Sequence, residues 1–414
     1  MYKWTAIYLI NCENLPSQVD PVSAMLDQIL SCPVNDKAAV VFCMKMPVAA
    51  IRRLDQTFVP GAGAGPADLT TVFYRLEGVA ADAAAGGSRS RLVKFAPENR
   101  EFKMTDKNDV SSYLKMIPDQ GLRAEKHVLL TWGHGSGSGI FFTGFPDQGA
   151  DLEILRMEGL KDAITDAFGA GDAYKIDVMV MMNCFMQYFD SMYALRTAGV
   201  DYLMASQFGL DFVGYNYNAI TNALFTDTPT TPEALARLAV TSLKDAVGLA
   251  DLDHGAFFAS DLSVCDLLAA ALCKLGAKLG AALPDNEDKM IGAIPEDKYI
   301  HSGYDLVDLF VFTKIIRGKL GDALTEADTQ DILDLRNKLI VEEYIGKLQD
   351  RPDFTLGCNI CLPVMGDNSY FRAFVDPASE HASLFSKLAS CGWPAFLHDY
   401  AELLPEGAMV TRIL

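Results

Sequence analysis

Two stretches of the sequence decide the fold: residues 127–145, HVLLTWGHGSGSGIFFTGF, and residues 174–207, YKIDVMVMMNCFMQYFDSMYALRTAGVDYLMASQ. In each, a short and almost purely apolar run ends abruptly at glycine or polar residues. Runs of this kind predict β-strands that are buried on both faces, as in a parallel sheet covered by helices. We therefore expect the strands His127–Trp132 and Ile176–Met182 to lie inside such a sheet.

Outward from these stretches, apolar runs alternate with segments of helical period. The alternation predicts one α/β domain over residues 1–225 with a mostly parallel sheet, followed by a mainly helical region with a few strands over residues 226–414. The further strands predicted in the first domain are Trp4–Ile10, Ala38–Met44, Thr70–Tyr74 and Tyr202–Ser206, and its helices are Val19–Ser31, Val48–Asp55, Asp109–Ile117, Leu155–Phe168 and Phe185–Ala198. The helices predicted beyond it are Thr231–Leu249, Leu262–Leu283, Glu326–Leu348 and Ala395–Leu404.

Two Gly- and Ala-rich stretches, residues 61–67 and 80–91, offer no packing face. They are predicted to be loops.

The composition is that of an acidic globular protein. Half of the 414 residues are apolar, and 35 Lys and Arg against 54 Asp and Glu give a formal net charge of −19. Nucleic acids and anionic membranes bind clustered positive charge, so neither is expected as a partner. The first residues, MYKWTAIYLINCEN, predict a strand rather than a signal peptide. We therefore expect a cytoplasmic protein, or a secreted one if a targeting segment has been removed.

The nine cysteines are of two kinds. Most lie inside apolar runs, where a thiol behaves as a small hydrophobic group, and their scatter predicts no disulfide framework. Cys184 differs, because it directly follows the end of a predicted strand and its adjoining Asn183.

His134 follows the other deciding strand and has a glycine on each side, Gly133 and Gly135. In a doubly wound sheet, ligands and catalytic groups gather at the carboxyl ends of the strands. The Gly-rich loop has neither nucleotide-binding spacing, so it predicts no phosphate site. Two interpretations stay open: a catalytic imidazole, or a polar side chain at a glycine turn without a catalytic part.

Cys184 holds the matching position after the second strand. Asn183 is a favourable helix N-cap, so we expect Cys184 to open the next helix, whose dipole would stabilise a thiolate. The alternative is an inert buried cysteine.

His134 and Cys184 say more together than separately. One helical crossover joins their strands, and right-handed connection predicts neighbouring strand ends. Their separation of 50 positions is close to the spacing of about 50 between the caspase His and Cys. Such a pair can perform acyl transfer, in which Cys184 would attack a carbonyl and His134 would transfer protons. The backbone N–H groups of Gly135 and Cys184 are the candidate oxyanion donors.

The segment WGHGSGSG resembles the W-D-H-G-S-G segment of the clostripain-like cysteine peptidases, and VMVMMNCFMQYFDSMYALRTAGVDYLMASQ resembles their strand, D-A-C-L-M and following helix. Weaker matches follow in the family's order in TAIYLINCENL, VGYNY, YDLVDLF and LGCNICLPV. The resemblance implies a caspase-hemoglobinase α/β/α sandwich, a dyad of His134 and Cys184, and hydrolysis of peptide bonds. The implied partners are peptide or protein substrates.

The chain departs from that family's pattern around the site. Met182 stands where the family has an Asp that helps to select Arg or Lys at the P1 position of the substrate, so the P1 preference stays open. Asp211 is a candidate for the missing charge, with a solvated loop carboxylate as the alternative. Gly133 replaces an Asp able to orient the histidine, and Asn183 replaces a small residue beside Cys184.

These departures keep a second hypothesis open, a catalytically silent relative that binds peptides or proteins. The loop Gly135–Leu155 contains no Lys or Arg, which predicts a single chain that does not cut itself there. We expect no cofactor or metal. Calcium is implied by the resemblance alone, and the sequence has no D-x-D-x-D-G loop.

Overall fold

The computed structural model of the chain describes residues 1–12, 19–79, 90–143, 153–169, 174–210, 215–226, 230–245, 255–291, 306–346, 356–363, 376–379 and 382–404. Over these residues the chain forms a nine-stranded sheet with helices on both faces, together with two small two-stranded sheets. The predicted α/β/α class is confirmed.

The described residues contain thirteen β-strands. They are β1 Tyr2–Asn11, β2 Ala38–Pro47, β3 Leu69–Gly78, β4 Ser90–Asn99, β5 Ala124–Trp132, β6 Gly139–Thr143, β7 Glu153–Arg156, β8 Val178–Met182, β9 Tyr202–Ser206, β10 Ala256–Asp261, β11 Leu306–Asp308, β12 Ile340–Ile345 and β13 Asn359–Cys361.

The same residues contain twelve α-helices. They are α1 Val19–Leu30, α2 Val48–Leu54, α3 Lys107–Asp119, α4 Met157–Phe168, α5 Phe189–Thr197, α6 Tyr217–Phe225, α7 Pro232–Thr241, α8 Cys265–Ala282, α9 Glu287–Ile291, α10 Leu309–Leu320, α11 Glu326–Leu339 and α12 Gly392–Glu402.

The large sheet has the strand order β12-β10-β9-β8-β5-β1-β2-β3-β4. Neighbouring strands are parallel from β9 to β2. At both edges the pairs are antiparallel. The centre is thus the parallel sheet that the apolar runs predict, and the antiparallel edges are an addition.

The strands at the centre are buried on both faces, which explains their continuous apolar sequence. In β8, Val180 and Met182 join a core cluster that includes residues of α1, α6 and α7. Met179 and Met181 join the cluster on the opposite face, which includes residues of α3, α4 and α8. Both layers of helices are therefore held by alternate residues of the same strands.

Several elements differ from the predicted ones. Arg91, expected in a loop, lies in β4 opposite Glu77 of β3, and β10 has no predicted counterpart. The helix predicted from Leu155 begins at Met157, because β7 pairs with β6 first. The helix predicted to reach Leu348 ends at Leu339, where the chain continues as β12.

The prediction of no disulfide is wrong. Cys273 in α8 and Cys391 just before α12 form a disulfide across 118 positions. The two helices meet at backbone distance, since a Cβ atom on Gly276 would lie 2.3 Å from Trp393 Cα. The disulfide therefore fixes α12 on α8.

The division at residue 225 stays a prediction. The large sheet crosses it, because β10 and β12 complete one edge. Among the described helices, none has the length and apolar character needed to cross a membrane.

Candidate functional site

The two loops singled out in the sequence leave the sheet side by side. β5 and β8 are neighbouring parallel strands, and Trp132 is in register with Met182. Beyond them, Gly133 N donates a hydrogen bond to Met182 O at 3.3 Å. The prediction that these strand ends are neighbours is confirmed.

Asn183 holds the two loops together. Its side chain is fully buried, and its Oδ1 accepts a hydrogen bond from the Thr131 hydroxyl at 2.5 Å. Its Nδ2 donates to the carbonyl oxygens of Gly133 and His134, at 3.0 Å each. The backbone around His134 is therefore fixed to the residue that precedes Cys184.

The prediction that Asn183 is an N-cap is wrong, and so is the expectation that Cys184 opens a helix. α5 begins at Phe189, and its N-cap residue is Tyr188. Asn183 satisfies the neighbouring loop instead of a helix end, so no helix dipole acts on Cys184 from the position that the sequence indicates.

Gly135 touches the backbone of Cys184. A Cβ atom at position 135 would lie 2.7 Å from Cys184 O, 3.0 Å from Cys184 N and 2.7 Å from Asn183 Cβ. Contacts under 3.0 Å are not available to a real Cβ atom, so only glycine fits here without movement of one loop.

The N–H of Gly135 is directed out of its own hairpin. Gly135 forms an antiparallel bridge with Ile140, and the neighbouring residues make the hydrogen bonds of that bridge, one of them from Phe141 N to His134 O at 3.0 Å. In a pair of this type the N–H of the paired residue points away from its partner.

The His134 ring is half-buried and lies against the ring of Phe142. It stacks on Phe142, with ring centroids 4.9 Å apart and planes 24° from parallel. Desolvation lowers the pKa of His134 below its ordinary value of 6.5. The neutral imidazole, which is able to accept a proton, is therefore favoured near neutral pH.

Cys184 is only partly buried and its sulfur has a backbone donor. Leu210 N lies 3.2 Å from Cys184 Sγ, in the geometry of a hydrogen bond to sulfur. By contrast, burial raises the pKa of the Cys12, Cys43 and Cys265 thiols. Those thiols pack as small hydrophobic groups, as predicted.

The segment that follows Cys184 turns back alongside the continuation of β9. Phe185 has φ 62°, in the left-handed region, and makes the reversal. Residues 184–187 and 206–210 then run antiparallel, so tertiary pairing and not a helix sets the position of the sulfur. The backbone bonds are Phe185 N to Phe208 O at 3.1 Å and Gln187 N to Ser206 O at 2.9 Å.

The candidate pocket residues differ in what the structure says of them. Met182 is buried in the core cluster that contains Trp132 and Tyr215, and it carries no charge. Asp211 lies outside the described residues. Asn183 is committed to the two loops and is not available to a substrate side chain.

An Asp at position 133, as in the family, would be crowded and its backbone strained. The φ of Gly133 is 148°, and a Cβ atom would lie 3.1 Å from Asn11 O and 3.2 Å from Phe141 Cδ1. In this chain, backbone packing around the histidine replaces a carboxylate.

The sequence prediction missed several residues of the site. Thr131 and Phe142 hold the loops as described above, and Asn11, at the end of β1, donates from Nδ2 to Phe141 O at 3.5 Å. Asn11 had a usable signal, since it is a polar residue at the carboxyl end of an adjacent parallel strand.

No group of three or more His, Cys, Asp or Glu side chains able to hold a metal ion occurs in the part of the chain that the structure describes. The calcium implied by resemblance stays untested, because calcium also binds backbone, amide and water oxygens.

Comparison with protein families identifies the family to which the chain belongs. The model of the Clostripain family matches residues 90–397, which include both loops and most of the chain. The chain belongs to the Clostripain family. It is accordingly a cysteine peptidase.

Solved structures share the fold of this clostripain-family chain. A secreted cysteine protease of the family from Bacteroides thetaiotaomicron, in complex with an irreversible peptide inhibitor, aligns with TM-score 0.59 and 15% identity over 91% of this chain and 98% of its own. An inactive zymogen from Parabacteroides distasonis aligns with TM-score 0.58 and 14% identity over 98% of both chains. At such identities the likeness shows the fold. No curated protein sequence matches the chain.

Proposed function

We propose that this clostripain-family enzyme hydrolyses peptide bonds inside polypeptides with Cys184 as nucleophile and His134 as general acid and base. The observation that carries the proposal is the junction of the two loops, in which Asn183 bonds the backbone of His134 and Gly135 touches the backbone of Cys184. Acyl transfer requires two reactive groups in a fixed relation, and adjacent strand ends whose loops are bonded to each other can hold them so.

The reaction proceeds in two halves. His134 takes the thiol proton as the Cys184 sulfur attacks the scissile carbonyl, and it then gives that proton to the leaving amine as the C–N bond breaks. In the second half, His134 takes a proton from water while the water oxygen attacks the thioester. The carboxylic acid product leaves, and the proton returns to the sulfur.

The N–H groups of Gly135 and Cys184 are the donors for the oxyanion. Support comes from the contact between these two backbones and from the direction of the Gly135 N–H, which points out of its hairpin. Donors fixed in advance need no rearrangement when charge develops on the oxygen. No step of this mechanism uses a metal ion or a cofactor.

For the P1 position we propose an uncharged side chain. The family's Asp is replaced by Met182, which is buried among apolar groups and cannot pair with a guanidinium or ammonium group. Asp211 is the residue whose action would reverse this preference.

A peptide library with the wild type and Cys184→Ala tests both parts. We expect hydrolysis by the wild type, its loss in Cys184→Ala, and cleavage after uncharged residues. Cleavage after Arg or Lys, abolished by Asp211→Asn, would refute the P1 proposal. Equal background in both proteins would favour the catalytically silent peptide-binding relative.

Two further expectations concern the mature protein. We propose that the protein stays a single chain, because Gly135–Leu155 contains no Lys or Arg at which it could cut itself. A denaturing gel of aged protein that shows two fragments produced by cleavage near residue 150 would refute this. We also propose an oxidising compartment, because disulfides such as Cys273–Cys391 are rare in the cytoplasm. Both cysteines reacting with an alkylating agent without prior reduction would instead favour the cytoplasm.

A further inference from the structure

A buried polar cluster connects the distant part of the chain to the segment that follows Cys184. We define it by Gln187, Gln207, Asp308 and Asn359, each no more than 1% exposed. Gln187 and Gln207 lie in the two antiparallel segments beside the sulfur, whereas Asp308 ends β11 and Asn359 begins β13.

Asn359 binds both of those segments at once. Its backbone N donates to Gln187 O at 2.8 Å, and its Nδ2 donates to Gln207 O at 2.8 Å. Its Oδ1 accepts a hydrogen bond from Gln207 Nε2 at 3.0 Å. Asn359 therefore fixes the spacing between residues 184–187, which follow the sulfur, and residues 206–210, which run beside them.

Asp308 holds this arrangement in place. Its Oδ2 accepts hydrogen bonds from Gln207 Nε2 at 2.8 Å and Gly357 N at 2.7 Å. Its Oδ1 accepts from Phe310 N and Val311 N, both at 2.9 Å, and so caps α10. A buried carboxylate with a full set of donors has one favourable geometry, and each donor is fixed by it.

One member of the cluster, Gln187, lies close in sequence to the sulfur. Gln187 Nε2 is also bonded, to Ser260 Oγ at 2.8 Å and Gly357 O at 2.7 Å. The segment between Cys184 and Gln187 is thus held at one end by Asn183 and at the other by the cluster. A shift at Gln187 would be transmitted to the sulfur through a very short length of chain.

We propose that Asn359, oriented by Asp308 through Gln207, is a positioning residue for the Cys184 sulfur. The inference rests on the proposed function of Cys184 as nucleophile. The proposal gives the C-terminal region a part in catalysis, because β13 would position a sulfur atom that lies much earlier in the sequence.

The test compares Asn359→Ala with the wild type and with Thr313→Val. Thr313 is a buried residue of α10 whose hydroxyl donates a hydrogen bond to Leu309 O. It lies in neither segment beside the sulfur. For each protein, kcat per titrated active site, KM and the thermal unfolding midpoint are measured with one peptide substrate. Asn359→Ser serves as a milder variant: both substitutions keep the backbone N–H bond to Gln187 O, and serine also retains a hydroxyl able to form a hydrogen bond.

We expect both Asn359 variants to lose roughly tenfold to a hundredfold in kcat, with KM changed by less than about threefold, because misplacing a reacting group by about an ångström has effects of that size. Thr313→Val should lower the unfolding midpoint and leave kcat per site unchanged. A folded Asn359 variant with a wild-type kcat per site would overturn the proposal. Loss of folding in both variants would also overturn it, since it would assign Asn359 to stability alone.

The proposed function is tested separately in the same series by Cys184→Ala. Hydrolysis retained in that variant would refute the role of Cys184, whatever the Asn359 variants do. Hydrolysis lost in Cys184→Ala but normal in Asn359→Ala would refute only the positioning role.

Discussion

Strand β5 carries a histidine near its start and another just beyond its end, and the two have different surroundings. His127 is 1% exposed; its Nδ1 lies 2.9 Å from the Lys175 carbonyl oxygen, and its ring meets Phe168 and Tyr174 edge-on. His134 is half-buried and lies against Phe142, next to the loop of Cys184. Desolvation lowers the pKa of both.

A lowered pKa therefore does not by itself identify a catalytic histidine. His127 lies at the amino end of the parallel strands, enclosed on all sides, and no nucleophile is within the contacts described for it. His134 lies at the carboxyl end, where two loops leave the sheet side by side and where ligands gather in sheets of this kind. Position on the sheet, more than residue type, separates the buried His127 from His134, the histidine proposed to transfer protons.

The largest change in kcat/KM should come from His134→Ala, with His127→Gln as the matched control. We expect His134→Ala to lower kcat/KM about a thousandfold or more, since it removes the group that transfers protons, with little change in stability. His127→Gln should keep kcat/KM per active site near the wild-type value. Steady-state kinetics on a cleaved library peptide checks this, and a comparable loss in both variants would abolish the distinction.

A smaller loss should follow from crowding the carboxyl end. Gly135→Ala puts a Cβ atom 2.7 Å from Cys184 O, so the two loops must separate, and we expect kcat to fall about tenfold to a hundredfold. Gly318→Ala in α10 is the matched control, because among the described residues no atom outside its own stretch of helix lies within 4 Å of its Cβ position. It should leave kcat unchanged and stabilise the helix by about 0.5–1 kcal/mol. Equal activity in the two variants would contradict the close contact of the loops.

His127, at the amino end of the parallel strands, should instead affect the free energy of unfolding. Burial lowers the pKa of His127 from 6.5 to about 4, so the folded state stays neutral while the unfolded state takes up a proton. Stability from this residue is complete above about pH 6.5 and is lost as the pH falls toward 4, by about 3 kcal/mol in total and about 1 kcal/mol by pH 5.5. The free energy of unfolding of the wild type and of His127→Gln, measured by urea unfolding above pH 6.5 and at pH 5.5, tests this. An identical pH dependence in the two proteins would show that His127 is not the cause.

The smallest effect concerns the acid limb of kcat/KM. Since desolvation lowers the pKa of His134, its neutral form persists below pH 6.5, and activity should fall only at lower pH. Phe142→Leu removes the stacked ring and admits water, so the limb should move up toward about 6.5. A limb that stays in place in Phe142→Leu would mean that another group controls it.

The centre of the fold could be predicted because its strands are buried on both faces. Continuous apolar runs such as Val178–Met182 have few other interpretations. The edges could not, because Ser90–Asn99 mixes exposed charges with apolar residues and Ile340–Ile345 continues a helical pattern. The disulfide joins helices that are 118 positions apart, and the spacing of Cys273 and Cys391 carries no signal of that contact.

The site could be predicted as far as topology determines it. His134 and Cys184 follow adjacent strand ends, and that much is contained in the order of strands and crossover. The role of Asn183 was missed because its partners are tertiary, Thr131 and the carbonyl groups of the other loop. The late start of α5 has the same origin, since residues 184–187 pair with residues 206–210 before any helix begins.

The role of the dyad can be tested most directly by covalent capture. A peptidyl acyloxymethyl ketone carrying an uncharged P1 residue is incubated with the wild type and with His134→Ala, and the labelled peptide is identified by mass mapping. We predict a single label on Cys184 in the wild type and a much slower label in His134→Ala, with His127→Gln labelled at the wild-type rate. Labelling of another cysteine, or no labelling of the wild type by a broad panel of such ketones, would contradict the assignment of Cys184 and His134.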